Sequence, residues 1–181
     1  MPLFQMPPSD VDLADPSEVA KLIERVFSTP LELKRTSMKI KAKNPMAMNL
    51  FQLGDFTLSS GRRSSWKIEC DALTAEDWRT LAAMGVEMLD KAGISFHCAL
   101  GVPTGGAKLA EALQAHLKPP TQRSCVLVVD DVLTSGGSIL RVREHVEGAN
   151  CWGLVAFARG KCPPWVLPIF QLSHELAEGK P

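Results

Sequence analysis

Residues Cys125 to Val129 form an unbroken apolar run, Cys-Val-Leu-Val-Val, that ends abruptly in two adjacent acids, Asp130 and Asp131. A run without polar alternation has no face for water, so it predicts a central strand of a parallel sheet covered on both sides. The neighbouring patterns agree. Ile94 to Leu100 alternates like a strand, and Trp152 to Ala158 and Trp165 to Leu172 read as two more. Between them lie helical stretches. Thr74 with Asp77 predicts a capped helix that turns Trp78, Leu81, Ala82 and Leu89 inward and stops at Gly93. A second helix is expected through Leu109, Ala110, Leu113 and Leu117, and a third from about Gly137 to Val146. Strands alternating with helices specify an α/β fold: a central, mostly parallel sheet flanked by helices.

Hydrophobic residues make up 45% of the 181 positions and charged ones 22%, enough for one globular unit with an appendage. The boundary falls near residue 50. Residues 1–49 read as an N-terminal extension and 50–181 as the main domain. In the extension, Asp15-Pro16-Ser17-Glu18 opens an amphipathic helix that carries Val19, Leu22, Ile23, Val26 and Phe27 on one face. Between Lys34 and Lys43 comes a basic arm, either a solvated loop or a lid over an anionic ligand. Twenty basic residues balance twenty acidic ones, which argues against nucleic acid as a partner. Five cysteines without C-x-x-C spacing favour a reducing compartment. No apolar stretch reaches membrane-spanning length, and Met1 to Asp10 lacks the order of a signal peptide. A cytoplasmic protein without a membrane partner is therefore expected. His97, His116, His145 and His174 show no metal-ligand spacing.

Two glycine-rich turns follow predicted strands, at the sheet end where open α/β folds bind ligands. In Val128 to Ser138, paired acids at a strand end suit a cation or a polyhydroxylated ligand. Thr134-Ser135-Gly136-Gly137-Ser138 can then wrap an anion with successive N–H groups at a helix start. A sugar phosphate fits both halves. The other turn, Gly101 to Lys108, nearly spells a Walker A loop, but Ala107 separates glycine from lysine and no Ser or Thr follows Lys108. Ordinary βα-loop chemistry accounts for that turn equally well. G-x-G-x-x-G is absent.

The Asp130 to Ser138 segment resembles the phosphoribosyl pyrophosphate (PRPP) motif of type I phosphoribosyltransferases. Gly54 to Ser64 is similar to the N-terminal signature of the orotate phosphoribosyltransferases, Gly101 to Ala110 to their pyrophosphate loop, and Trp165 to Leu172 to their terminal strand. The likeness runs in family order over about Leu50 to Ser173. Ser65-Trp66-Lys67-Ile68 with Asp71 to Thr74 and Asp77-Trp78 is closer still to small phage-encoded relatives. The resemblance implies the type I phosphoribosyltransferase fold with a small N-terminal hood, and transfer of phosphoribosyl from PRPP to a nucleobase, orotate or a related carboxylated pyrimidine. It implies that Asp130 and Asp131 hold the ribose hydroxyls beside the reacting carbon, that Val132 belongs to the PRPP-binding segment in which Leu133, Thr134, Ser135, Gly136, Gly137 and Ser138 bind the 5′-phosphate, and that Thr104, Gly105 and Gly106 contact pyrophosphate in a loop that often contains a cis peptide. Mg2+ would be held mainly through the substrate, with no dedicated protein ligand set. Trp66, Lys67 and Arg159 would meet the base, although a plain surface arginine after a strand is the alternative for Arg159. A homodimer is the implied assembly.

The sequence also departs from that pattern. Orotate enzymes carry a mobile, lysine-rich loop before the PRPP-motif strand, whereas here only Lys118-Pro119-Pro120-Thr121-Gln122-Arg123-Ser124 joins Leu117 to Cys125. Ser59 and Gly105 stand where the family places lysines, and Trp66-Lys67 replaces its aromatic pair. Two readings stay open: an enzyme whose site is closed by another cationic segment such as the Lys34 to Lys43 arm, or a catalytically weak binder of PRPP or a nucleotide that acts as a sensor.

Overall fold

The computed structural model describes residues 49–58, 61, 63–146 and 150–172 of the chain. The expectations for the N-terminal helix, the basic arm, Ser59 and His174 lie outside them. Strands β1 (Phe51–Thr57) and β2 (Arg63–Ile68) pair antiparallel as a hairpin that forms its own two-stranded sheet. A single 3-10 turn, Cys70–Ala72, leads to helix α1 (Ala75–Lys91). Its start is the expected one. Thr74 Oγ1 accepts from the Asp77 amide while the Asp77 carboxylate accepts from the Thr74 amide, which satisfies two donors the helix cannot.

There follow β3 (Phe96–Gly101), α2 (Ala107–Leu113), β4 (Cys125–Leu133), α3 (Gly137–Glu144), β5 (Cys151–Ala158) and β6 (Val166–Gln171). The strands stand in the order β3-β4-β5-β6, every pair parallel. The apolar run is now explained by its period of two. Leu127 and Val129 face Trp78, Leu81 and Leu89 of α1 and Leu109 and Leu113 of α2. Val126 and Val128 face Ile139 and Val142 of α3. All four β4 residues are fully buried, each contributing about 1.5–3 kcal/mol.

Two expectations need correcting. The second helix stops at Leu113 and tightens into a 3-10 turn, Gln114–His116, because Leu117 is already extended ahead of Lys118-Pro119. The central strand does not end at Val129 but runs on to Leu133, held by β5. All five cysteines are free thiols. Among the described residues, no helix is long and apolar enough to cross a membrane.

Candidate functional site

The overhang of β4 makes the site. Its last partner on β3 is Gly101, opposite Val129, while pairing with β5 continues to Leu133 opposite Ala158. Asp130 and Asp131 are therefore carried past the end of β3. Asp130 is only 9% exposed. Its Oδ1 accepts from the Asp131 amide at 3.0 Å, and Asp131 Oδ1 accepts from the Val132 amide at 2.6 Å. Burial first, and then the adjacent Asp131 charge, push the Asp130 carboxyl up to about 8. Cys70, in the 3-10 turn after the hairpin, packs beside the pair; its own burial, the Asp131 charge and a hydrogen bond to Asp131 hold its thiol well above the ordinary value. A carboxyl raised by burial and by a neighbouring carboxylate marks a place where a cation or sugar hydroxyls would be welcome.

Beyond the acids the chain turns into α3. Gly136 occupies the N-cap at φ 76°, a left-handed conformation that glycine adopts without penalty. No side chain among the described residues caps this helix. Among the described residues, the amides of Ser135, Gly136, Gly137 and Ser138 meet no protein acceptor. Such orphan donors at a helix start, reinforced by the helix dipole, form a receptacle for an anion. The Arg159 amide donates to Leu133 O at 2.8 Å and locks the end of β5 beside this turn.

The turn after β3 closes over the acids from the other side. The Pro103–Thr104 peptide is cis, and the Gly106 amide donates to Val102 O at 2.8 Å. Gly105 lies so close to Asp131 that a Cβ there would fall well under 3.0 Å from both carboxylate oxygens. Glycine is thus demanded by the approach of the loop to the acid, and a lysine at this position would displace Asp131. One turn later Lys108 pairs with Asp71 at 2.8 Å, which brings a cation to the same rim.

The hairpin supplies the last wall. Ser64 and Trp66, two apart on β2, share one face. Arg159 Nη2 donates to Ser64 Oγ at 2.8 Å, and its guanidinium carbon sits 3.7 Å from the Trp66 ring centroid. Arg159 is 8% exposed, so it is not a plain surface arginine, and burial lowers its basicity. Among the described residues it has no carboxylate partner. Arg159 Nε and Trp66 Nε1 are both buried without an acceptor among the described residues, a deficit worth about 1–3 kcal/mol each. Phe51, Phe157 and Phe170 stack behind this pair and fix the hairpin to β5 and β6.

Asp130, Asp131, the Leu133 to Ser138 turn, Gly105, Trp66 and Arg159 are thus drawn to one end of the sheet. Lys67 is occupied elsewhere, paired with Glu69 and lying over the Phe56 ring at 5.3 Å. Ser64, Cys70 and Lys108 join the site without having been singled out from sequence; for Ser64, its i, i+2 spacing from Trp66 was the available signal. Among the described residues, no three His, Cys, Asp or Glu side chains gather to hold a metal by themselves. The carboxyls of Asp130 and Asp131 are the hard oxygen donors at hand.

No family model matches the chain. It is 31% identical over 123 residues to an orotate phosphoribosyltransferase of Sulfolobus acidocaldarius, an alignment that covers 56% of this chain and 61% of that enzyme. The chain thus spans under two thirds of that relative's length. The crystal structure of orotate phosphoribosyltransferase from Aeropyrum pernix superposes with a TM-score of 0.55 at 28% identity, covering 67% of this chain and 88% of that one. The overhanging acids, the uncapped turn and the parallel sheet therefore sit in a chain that is similar in sequence to an orotate phosphoribosyltransferase and shares the phosphoribosyltransferase-type fold of the Aeropyrum pernix enzyme.

Proposed function

We propose that the chain transfers the phosphoribosyl group of PRPP to a carboxylated pyrimidine, orotate or a close relative, and releases pyrophosphate. The observation that carries this reading is the β4 overhang, which runs from two acids straight into an uncapped helix start. On this reading Asp130 and Asp131 accept from the ribose hydroxyls, while the amides of Ser135 to Ser138 and the Thr134 hydroxyl bind the 5′-phosphate. Thr104, Gly105, Gly106 and Lys108 face the pyrophosphate. The C1′–O bond to pyrophosphate breaks, its electron pair leaves with the pyrophosphate, and a ring nitrogen of the base forms the new bond to C1′ and gives up its proton. Positive charge grows on the ribose ring as the bond breaks, and the carboxylates beside it oppose that charge. Arg159, a buried cation without an anionic partner among the described residues, suits the carboxylate of the base. The donor set fits Mg2+ held chiefly by substrate oxygens; when bound, the ion would neutralise the departing pyrophosphate. A homodimer in the cytoplasm belongs to the same reading.

A second reading is favoured by the joint between α2 and β4. Lys118 N donates to Phe96 O, and Thr121 and Ser124 hydrogen-bond each other in a tight turn. A segment so short and so bonded offers no mobile lid, which suits a PRPP- or nucleotide-binding sensor with weak turnover. A pyrophosphate-release assay with PRPP, Mg2+ and a panel of bases separates the two. Release that depends on orotate supports the transferase; PRPP binding with no release for any base supports the sensor.

A further inference from the structure

The turn between β4 and α3 contributes no amide bonds of its own, since among the described residues the Ser135 to Ser138 amides meet no acceptor. What it leans on is the joint between β5 and β6. The Arg159 amide holds Leu133 O, the Pro163 ring stands behind Gly136, and between them Gly160 is pressed against the Thr134 carbonyl, where a Cβ would fall 2.7 Å from the oxygen. The joint in turn is tied by a side chain from the end of β6. Gln171 Nε2 donates to Ala158 O at 3.3 Å, to Gly160 O at 3.1 Å and to Leu172 O at 3.1 Å. The Cys162 thiol, 3.9 Å from Gln171 Oε1, donates to the other end of the same amide. Ala158 O also receives the Leu172 amide, whereas Gly160 O has no second donor among the described residues. Without the Gln171 amide these carbonyl oxygens would stay gathered around Gly160 with nothing to draw them together.

We propose that Gln171 is a positioning residue for the 5′-phosphate turn: by drawing the Ala158, Gly160 and Leu172 carbonyls together it seats Gly160 against Thr134 and keeps the turn in the shape that receives a phosphate. This rests on the functional reading above and deepens it. Among the described residues, Gln171 makes no hydrogen bond to Asp130, Asp131 or the turn, so it acts through the joint. A receptacle whose donors are already in place loses less freedom on binding, and a slackened joint therefore costs affinity for the phosphate.

The test compares the full wild-type chain with Gln171→Leu, which keeps bulk but neither donates nor accepts, with Gly160→Ala, which pushes the Thr134 carbonyl directly, and with the double variant. Ribose 5-phosphate is the calorimetric probe, and the glycine amides of the proton–nitrogen correlation spectrum report the turn. Each single variant should bind ribose 5-phosphate about fivefold or more weakly, ~1 kcal/mol. Because both substitutions act at one contact, the double variant should lose little more than the weaker-binding single one. In Gln171→Leu the Gly136 and Gly137 signals should move while those of Gly105 and Gly106, in the turn after β3, stay in place, a pattern that a general loosening of the fold would not give. Wild-type affinity in Gln171→Leu, fully additive losses, unmoved Gly136 and Gly137 signals, or equal movement of all four glycine signals overturns the proposal. Saturable binding by the wild type in those same titrations leaves the phosphate receptacle standing. A wild-type chain that binds neither ribose 5-phosphate nor PRPP with Mg2+ overturns the receptacle and the proposal together.

Discussion

Raising the pH from about 4 to about 8 should weaken the fold, and Asp130→Asn should remove most of that loss. In the unfolded chain the Asp130 carboxyl ionises near 3.8, whereas burial and the Asp131 charge delay its ionisation in the folded chain to about 8. Between those limits the folded state holds about one proton more than the unfolded state. Stability is then highest at the acid side and falls as pH rises, by up to about 1.4 kcal/mol per pH unit, flattening once the folded carboxyl ionises near 8. Over the whole window this amounts to several kcal/mol, a large part of the ~5–15 kcal/mol that holds a domain together. Other shifted groups act at or beyond its edges. Asp77 and Glu87 are lowered by their hydrogen bonds to Thr74 and Lys91, so they act in the opposite sense at the acid end. The Cys98 and Cys125 thiols, raised by burial to about 11, act at the alkaline end. Asparagine matches the shape of Asp130 and cannot ionise. The assay is urea unfolding at a series of pH values, comparing midpoints at constant m. The variant should be the more stable protein near pH 8 and should show a nearly flat profile. A wild-type profile already flat across the window, or an unchanged slope in the variant, would refute the reasoning. A linked consequence is that a ligand which places positive charge on the acid pair should release a proton, measurable as a buffer-dependent heat of binding.

Gly105→Ala should push the Asp131 carboxylate aside and weaken PRPP binding by about tenfold, ~1.4 kcal/mol, with little change in melting temperature; a variant that binds like wild type would show that the loop is not seated on the acid. Lys108→Ala should change stability by less than about 1 kcal/mol, because its pair with Asp71 is exposed. It should nevertheless weaken pyrophosphate binding several-fold and flatten its salt dependence. Thr74→Ala should cost about 1 kcal/mol in urea unfolding by removing the reciprocal cap of α1.

The sheet was legible because its signal is local. Cys125 to Val129 cannot be anything but covered on both sides, and Thr74 with Asp77 marks a helix start within four residues. What was misread depends on partners distant in sequence. Nothing near Asp130 indicates that β4 continues, because the continuation is set by Val155 and Phe157 on the next strand. The end of α2 was overrun because Leu117 keeps the helical period, while the prolines behind it already demand extended backbone. Within the site, Asp130, Asp131 and the following turn were visible as a pattern. The Ser64–Arg159 bond joins residues 95 apart and could not be. Gly105 reads in sequence as a missing lysine; in three dimensions the approach of its backbone to Asp131 supplies the reason. Lys67, which only the resemblance sets beside the base, is paired with Glu69, two residues on.

The central claim is that the acids overhanging β3 and the uncapped turn behind them form a PRPP receptacle. Calorimetric titration of the full chain with PRPP and Mg2+, alongside the Asp130→Asn, Asp131→Asn double variant, tests it most directly. The account predicts saturable binding by the wild-type chain and a loss of at least about tenfold in the folded variant, ~1.4 kcal/mol or more. Equal binding by the two proteins, or no binding by the wild type, would contradict it.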